Sequence, residues 1–155
     1  MPSRHALLVL AALAAATPTS PAAGDKVGPD TCKACHPAAF EAWKASPHAH
    51  ARESLGDRHA NEPRCLSCHA PDAEDGLLAG VTCEACHGPG RMYSASYVMR
   101  DPELARAVGL VQPGAKTCAA CHTEATPSLV RFDFARKLPL IRHWDEPAPP
   151  PAKPR

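Results

Sequence analysis

The sequence is poor in the residues that build an ordinary core. Its 155 residues include two Trp, two Tyr and three Phe, so aromatics make up 5% of the chain. From Asp25 to Arg155, Leu, Ile, Val and Phe together number 19 of 131 residues, below the roughly 20% at which a chain has difficulty filling a core. Such scarcity suits disorder only when net charge is high, and the formal net charge is +1. A small chain with so little apolar surface needs a staple: disulfides, metals or a cofactor.

Long apolar runs are also missing. The one sustained run, Ala6–Ala16, follows Arg4 and His5 and precedes the small residues Ala22, Ala23 and Gly24. It is shorter than the roughly 20 residues that cross a bilayer. It has the layout of a secretory signal peptide, with cleavage expected near residues 22–24. No cysteine precedes Cys32, so a lipid anchor at a leader cysteine is not expected. The expectation is an exported, periplasmic protein that does not span a membrane after signal cleavage. At the other end EPAPPPAKPR favours a solvated polyproline II tail. The expected organisation is a signal peptide over 1–24, one domain over 25–145 and a Pro-rich tail over 146–155.

Spare cysteines are lacking as well. All eight fall into one pattern: Cys32-Lys-Ala-Cys35-His36, Cys65-Leu-Ser-Cys68-His69, Cys83-Glu-Ala-Cys86-His87 and Cys118-Ala-Ala-Cys121-His122. C-x-x-C-H is the attachment signature of c-type haem. Two thiols three positions apart lie on one side of a helical turn, where each can form a thioether with a haem vinyl group. The adjacent histidine then turns its imidazole to the iron. Disulfides, zinc knuckles and thioredoxin-like pairs also use paired cysteines. None of them requires a histidine after each second cysteine. The expectation is four covalently bound c-type haems, with His36, His69, His87 and His122 as proximal ligands. Export fits, because this attachment takes place outside the cytoplasm. The haems then supply the missing core, and the expected fold is mainly α with long loops and little or no sheet.

Local signals refine this. Thr31–Ala45 reads as one helix, with His36, Phe40 and Trp43 on a stripe that suits either porphyrin contact or plain core packing. Ser46-Pro47 starts a second helix that Gly56 can close, and Asp101-Pro102 with Gly109 repeats the device. Gly88-Pro89-Gly90 ends any helix directly after His87. Asn61-Glu62-Pro63 and residues 72–80 read as surface loops.

Of nine histidines, four are proximal ligands and His5 leaves with the signal peptide. His48, His50, His59 and His143 remain to close the far sides of the irons. A closed iron carries electrons, whereas an open one can bind or react. His48 and His50 would point about 200° apart on a helix, so both cannot face one haem. His59 sits in polar DRHANEP and reads as solvated. His143 has the apolar neighbours Leu140, Ile141 and Trp144 and reads as buried.

CKACHPAAFEAWKASPHAHARESL, GVTCEACHGPGRMY and FDFARKLPLIRHW resemble the tetraheme cytochrome c-554 family, the electron-acceptor type for hydroxylamine oxidoreductase. The resemblance covers all four motifs in order, over most of residues 30–145. It implies that His48, in the W-K-x-x-x-H-A position, ligates the third haem opposite His87. It implies that His143 ligates the fourth opposite His122, and that the second haem is open, although His50 or His59 could close it. In the family, the first haem takes a histidine from the segment after G-P-G-R. Here that segment reads MYSASYVMRD, without histidine. The window holds Tyr97, Val98 and Met99. Valine cannot bind iron, and tyrosine usually serves substrate chemistry. Methionine is a known partner of histidine in cytochromes c. Met99 is therefore the expected ligand, and flexible packing beside the haems is its alternative. Met92 lies too near the Gly88 turn.

These features imply an electron-transfer cytochrome. Its partners would be redox proteins: an oxidoreductase donor and a membrane quinone-linked or cytochrome acceptor, with no nucleic acid. Without the signal peptide, 16 basic residues balance 16 acidic ones, and haem propionates would tip the surface mildly acidic, so a basic partner surface is expected. Two other functions compete. One is a redox enzyme acting on a small nitrogen species at an open haem lined by His50, His59 or Arg91. The other is a haem module that stacks on copies of itself.

Overall fold

A computed structural model describes residues 25–73, 80–124 and 131–143; the expected signal peptide and Pro-rich tail, with Trp144, lie outside the described residues. The secondary structure is helical, and no strand forms among the described residues, as expected. The helices are short: α1 Pro29–Lys33, α2 Pro37–Lys44, α3 Gly56–His59, α4 Pro63–His69, α5 Cys83–His87, α6 Ser96–Met99, α7 Pro102–Ala107, α8 Ala115–Ala119 and α9 Phe134–Ile141. A 3-10 turn, Arg52–Leu55, precedes α3.

Prolines punctuate this pattern. Pro29, Pro37, Pro63 and Pro102 stand in the first turns of α1, α2, α4 and α7, where a missing N–H costs no hydrogen bond. Pro37 also corrects the expectation of one helix over 31–45. Proline disfavours helical geometry in the residue before it, and His36 takes φ −124°, ψ 58°. The helix breaks there, and α1 and α2 meet at a corner. His36 is exposed at that corner, while Phe40 is buried and packs on Trp43 with ring centres 5.5 Å apart. Lys33 lies over the Phe40 ring at 4.6 Å, bracing α1 against α2.

The helix expected after Pro47 also does not form as one piece. Residues 47–51 are turns, followed by the 3-10 turn and then α3. Carbonyls of this segment are recruited by distant groups. His48 O accepts from Val81 N at 2.8 Å, and Ala51 O takes a bond from His69 Nδ1 at 2.8 Å. Gly56 (φ 62°) marks the join. The other punctuation holds. Asp101 caps α7 by accepting from Glu103 N and Leu104 N, each at 3.0 Å, and Gly88 (φ 80°) turns the chain directly after His87.

The apolar core is small, as the composition requires. Tyr93, Val98 and Ala105 are buried together, with Ala95, Met99, Val108 and Leu110 packed against them. Two buried carboxylates do much of the remaining tying. Asp72 is 1% exposed, pairs with Lys26 at 2.6 Å and accepts from the Thr82 hydroxyl. This corrects the surface-loop expectation at both ends of 72–80, because Gly80 is buried too; residues 74–79 lie outside the described residues. Glu84 is 3% exposed and accepts from backbone N–H groups just ahead of α1 and just after α5.

Candidate haem-binding site

Each C-x-x-C-H motif forms a helical turn. In the first and fourth motifs the histidine N–H donates to the carbonyl of the first cysteine, His36 N to Cys32 O and His122 N to Cys118 O, both at 2.9 Å. The second and third motifs lie within α4 and α5. That turn puts both thiols of a motif on one side with the histidine beside them. All eight cysteines are described and none forms a disulfide.

The motifs gather in space. Cys32 and Cys83 lie within hydrogen-bonding reach, which together with burial pushes the Cys83 thiol well up. Cys121 is raised to about 11, first by burial and then by Cys68 and Cys86. Burial raises Cys86 as well, followed by the nearby charges of Cys118 and Asp72. The third motif thus lies beside the first and the fourth, and the fourth beside the second.

The histidine rings pair across the chain. His48 and His122 have ring centres 6.1 Å apart, and His87 and His143 have theirs 6.0 Å apart. In this structure the His48 ring thus lies nearest the fourth motif's histidine and the His143 ring nearest the third's, the reverse of the order that the resemblance implies. The contacts around the segment after Pro47 account for this. Trp43 Nε1 donates to Val81 O at 2.8 Å, Val81 N donates to His48 O, and bare Gly80 lies against the His48 and Ala49 carbonyls. His143 follows α9, and although Ile141 is half-buried, Leu140 is 72% exposed. The apolar neighbours of His143 therefore do not all turn inward as expected.

Backbone carbonyls set the tautomers. His69 Nδ1 donates to Ala51 O at 2.8 Å with Ser54 Oγ at 3.2 Å. His87 Nδ1 donates to Val111 O at 3.2 Å, while Val111 N donates back to His87 O at 2.8 Å. His143 Nδ1 donates to Ile141 O at 3.0 Å. A proton held at Nδ1 leaves the Nε2 lone pair for a metal. Burial, then the neighbouring His122, lowers His48 below its ordinary value; burial also lowers His87 and His122. Neutral rings are the ligand form.

The other free histidines are engaged elsewhere. His50 is exposed, with Nδ1 on the Glu53 carboxylate at 3.1 Å and Nε2 on Lys44 O at 3.0 Å. Both nitrogens face acceptors, and its pKa is raised by Glu53. His59 is exposed beside Glu62 at 3.5 Å, with Cys65 in the same cluster. Arg91 lies at the surface with Asp25 at 3.8 Å. Met99 is half-buried on the Tyr93–Val98–Ala105 cluster.

These residues fit c-type haem. A metal holds an imidazole nitrogen at about 2 Å, and the ring centre lies about 1 Å further, so two rings facing across one iron have centres about 6 Å apart. Both observed pairs have this separation. Arg52 Nε is buried without a partner among the described residues, beside a cleft of about 510 Å³ lined by Phe40, Trp43 and Lys44. It is a donor suited to a propionate. The sequence did not point to Ala51, Ser54, Val111 or Glu84, since each acts through a contact distant in sequence. Nor did it point to Phe132, which stacks on His122 with ring centres 4.4 Å apart.

Residues 31–88 match the family described as cytochrome c554 and c-prime. The chain is also similar to cytochrome c-554 of Nitrosomonas europaea, 30% identical over 118 residues. That match covers 58% of this chain and 50% of the relative, so the chain spans about half the length of the curated relative it matches. No solved structure matches. The segment that carries the first three attachment motifs is thus similar to the cytochrome c-554 family.

Proposed function

We propose that the protein is a periplasmic c-type cytochrome that uses four haems to carry electrons between redox partners. The observation that carries this reading is the pair of imidazole couples, His48–His122 and His87–His143, at 6.1 and 6.0 Å. Bound haem iron supplies one-electron chemistry, ferric to ferrous and back. The chain's part is to hold and shield it. The eight cysteines fix the macrocycles, and the four motif histidines bind from one side. His48 and His143 bind two of the irons from the other side. A six-coordinate iron leaves no site for a substrate, which suits a carrier. Crowding of the first motif on the third, the third on the fourth and the fourth on the second would bring the irons close enough to pass electrons in sequence. For the first iron, opposite His36, Met99 is the proposed thioether ligand. The partners proposed are an oxidoreductase donor and a quinone-linked or cytochrome acceptor.

Mass spectrometry tests the haem count: the processed chain should carry four haem masses. Electron paramagnetic resonance of the oxidised protein should show at least two low-spin bis-histidine centres. A zinc-loaded or disulfide-bonded product would refute the proposal.

A second reading is favoured at the second iron alone. Among the described residues no histidine ring pairs with His69, and His50 and His59 are engaged by Glu53 and Glu62. That iron would be open and able to bind a small nitrogen species. Carbon monoxide should then change the spectrum of one haem in the reduced protein; no change would leave only carriage.

A further inference from the structure

Glu84 stands between the two cysteines of the third attachment motif. Its side chain is 3% exposed. Val27 N donates to its two oxygens at 3.0 and 3.1 Å, Gly28 N at 2.8 Å and Gly90 N at 2.6 Å. Every one of these contacts is a donor, so the carboxylate is served as an anion. Asp72, the other buried carboxylate, has the Lys26 ammonium at 2.6 Å. Glu84 has only backbone dipoles, and no ion pair forms with it among the described residues. The cradle is shaped for it: a Cβ on Gly90 would lie 2.9 Å from Glu84 Oε1 and 2.8 Å from Val27 Cγ2.

Its position joins two motifs. Glu84 follows Cys83 directly. Its Gly28 donor also accepts from Cys32 Sγ, at 3.8 Å through the Gly28 carbonyl. The Cys32 and Cys83 thiols lie within hydrogen-bonding reach of each other. A charge not neutralised by a cation acts strongly in a buried setting. A negative charge stabilises ferric over ferrous iron and lowers the potential, because reduction removes one positive charge from the site.

We infer that the Glu84 carboxylate, cradled by Val27, Gly28 and Gly90, sets the potentials of the first and third haems together. This rests on the haem reading above. It holds the potentials of these two haems below their values in a variant without the charge. The same contacts tether the segment ahead of α1 to α5, so structural and electrostatic roles must be separated.

The test is spectroelectrochemical titration of the purified holoprotein, after mass spectrometry has counted its haems. In Glu84→Gln two of the four potentials should rise together and two should stay. Glu84→Asp, which keeps the charge, should lose thermal stability but leave all four near their original values. Equal shifts in the Gln and Asp variants, or four unmoved potentials in Glu84→Gln, would make Glu84 a tether only. Should Glu84→Gln yield no holoprotein, Gly90→Ala displaces the carboxylate more gently. It should shift the same two potentials, and unmoved potentials there would overturn the inference. A wild-type chain without haem would overturn the function and this inference with it, and the mass spectrum shows that before any potential is read.

Discussion

The imidazoles of His48 and His122 face each other with ring centres 6.1 Å apart and planes 50° apart, though 74 positions separate them in the chain. His122 is held on its other flank by Phe132, stacked within 14° of parallel. His48 is half-buried in a turn, not on a helix. The pair joins the segment after the first motif to the fourth motif, and it leaves His87 to His143.

The exchanged pairing is directly measurable. His48→Ala should convert one low-spin haem to high spin, and His143→Ala should convert a different one. Resonances assigned to the haem bound at Cys118 and Cys121 should move in the His48 variant. Movement at the Cys83–Cys86 haem instead would restore the order that the family resemblance implies.

Gly80 should be intolerant of any side chain. A Cβ there would clash with the His48 carbonyl and lie 2.5 Å from Ala49 O; both neighbours are backbone and cannot swing away. Gly80→Ala should destabilise the fold by ~1–3 kcal/mol, the usual range for overpacking. It should also weaken the same haem that His48→Ala affects. Chemical denaturation and the visible spectrum report the two effects separately.

Acid should weaken the fold. His48, His87 and His122 have folded pKa values lowered by burial from an ordinary value of 6.5. Between that value and the folded one the unfolded chain binds protons that the folded chain does not. The contribution of these rings is present above pH 6.5 and is lost as pH falls below it. His50 works in the opposite sense: its raised value stabilises below 6.5 and that contribution fades as pH rises through the folded value. It is exposed, so solvent screens it, as it does the exposed His122, and the half-buried His48 and His87 outweigh it. The urea midpoint should fall between about pH 7.5 and about pH 5.5, most steeply below the ordinary histidine pKa. A flat or rising midpoint toward acid would refute this.

Met99→Leu separates ligation from packing. A ligating thioether gives the oxidised protein a weak near-infrared charge-transfer band, and the variant should lose it while one potential falls. Because Met99 packs on Tyr93, Val98 and Ala105, leucine should preserve stability to within about 1.5 kcal/mol. A wild type without the band, and potentials unmoved by the substitution, would leave Met99 as packing.

Much of the site was legible because its chemistry is local. C-x-x-C-H works through one helical turn, so spacing alone points to the proposed attachment sites and proximal histidines, and the sparse aliphatics point to a core supplied from elsewhere. Helix punctuation at Asp101-Pro102 and Gly88 is equally local, since proline and positive-φ glycine act on their own backbone. Where local periodicity misleads, a distant group intervenes or a proline breaks the backbone. Pro37 breaks the helix read across residues 31–45. The carbonyls of His48 and Ala51 are claimed by Val81 and His69, which opens the helix read after Pro47.

By itself the sequence determined the kind of cofactor chemistry, the mainly helical class and the set of histidines able to serve as ligands. Only the tertiary structure decided which histidine faces which motif, and that His50 is bound at both nitrogens by Glu53 and Lys44 O. It also decided that Glu84 and Asp72 are interior charges. The physical reason is range. Attachment and capping are set within four residues of the chain, whereas ligand pairing, tautomer and buried charge depend on groups brought together across dozens of residues, and no spacing in the sequence encodes that distance.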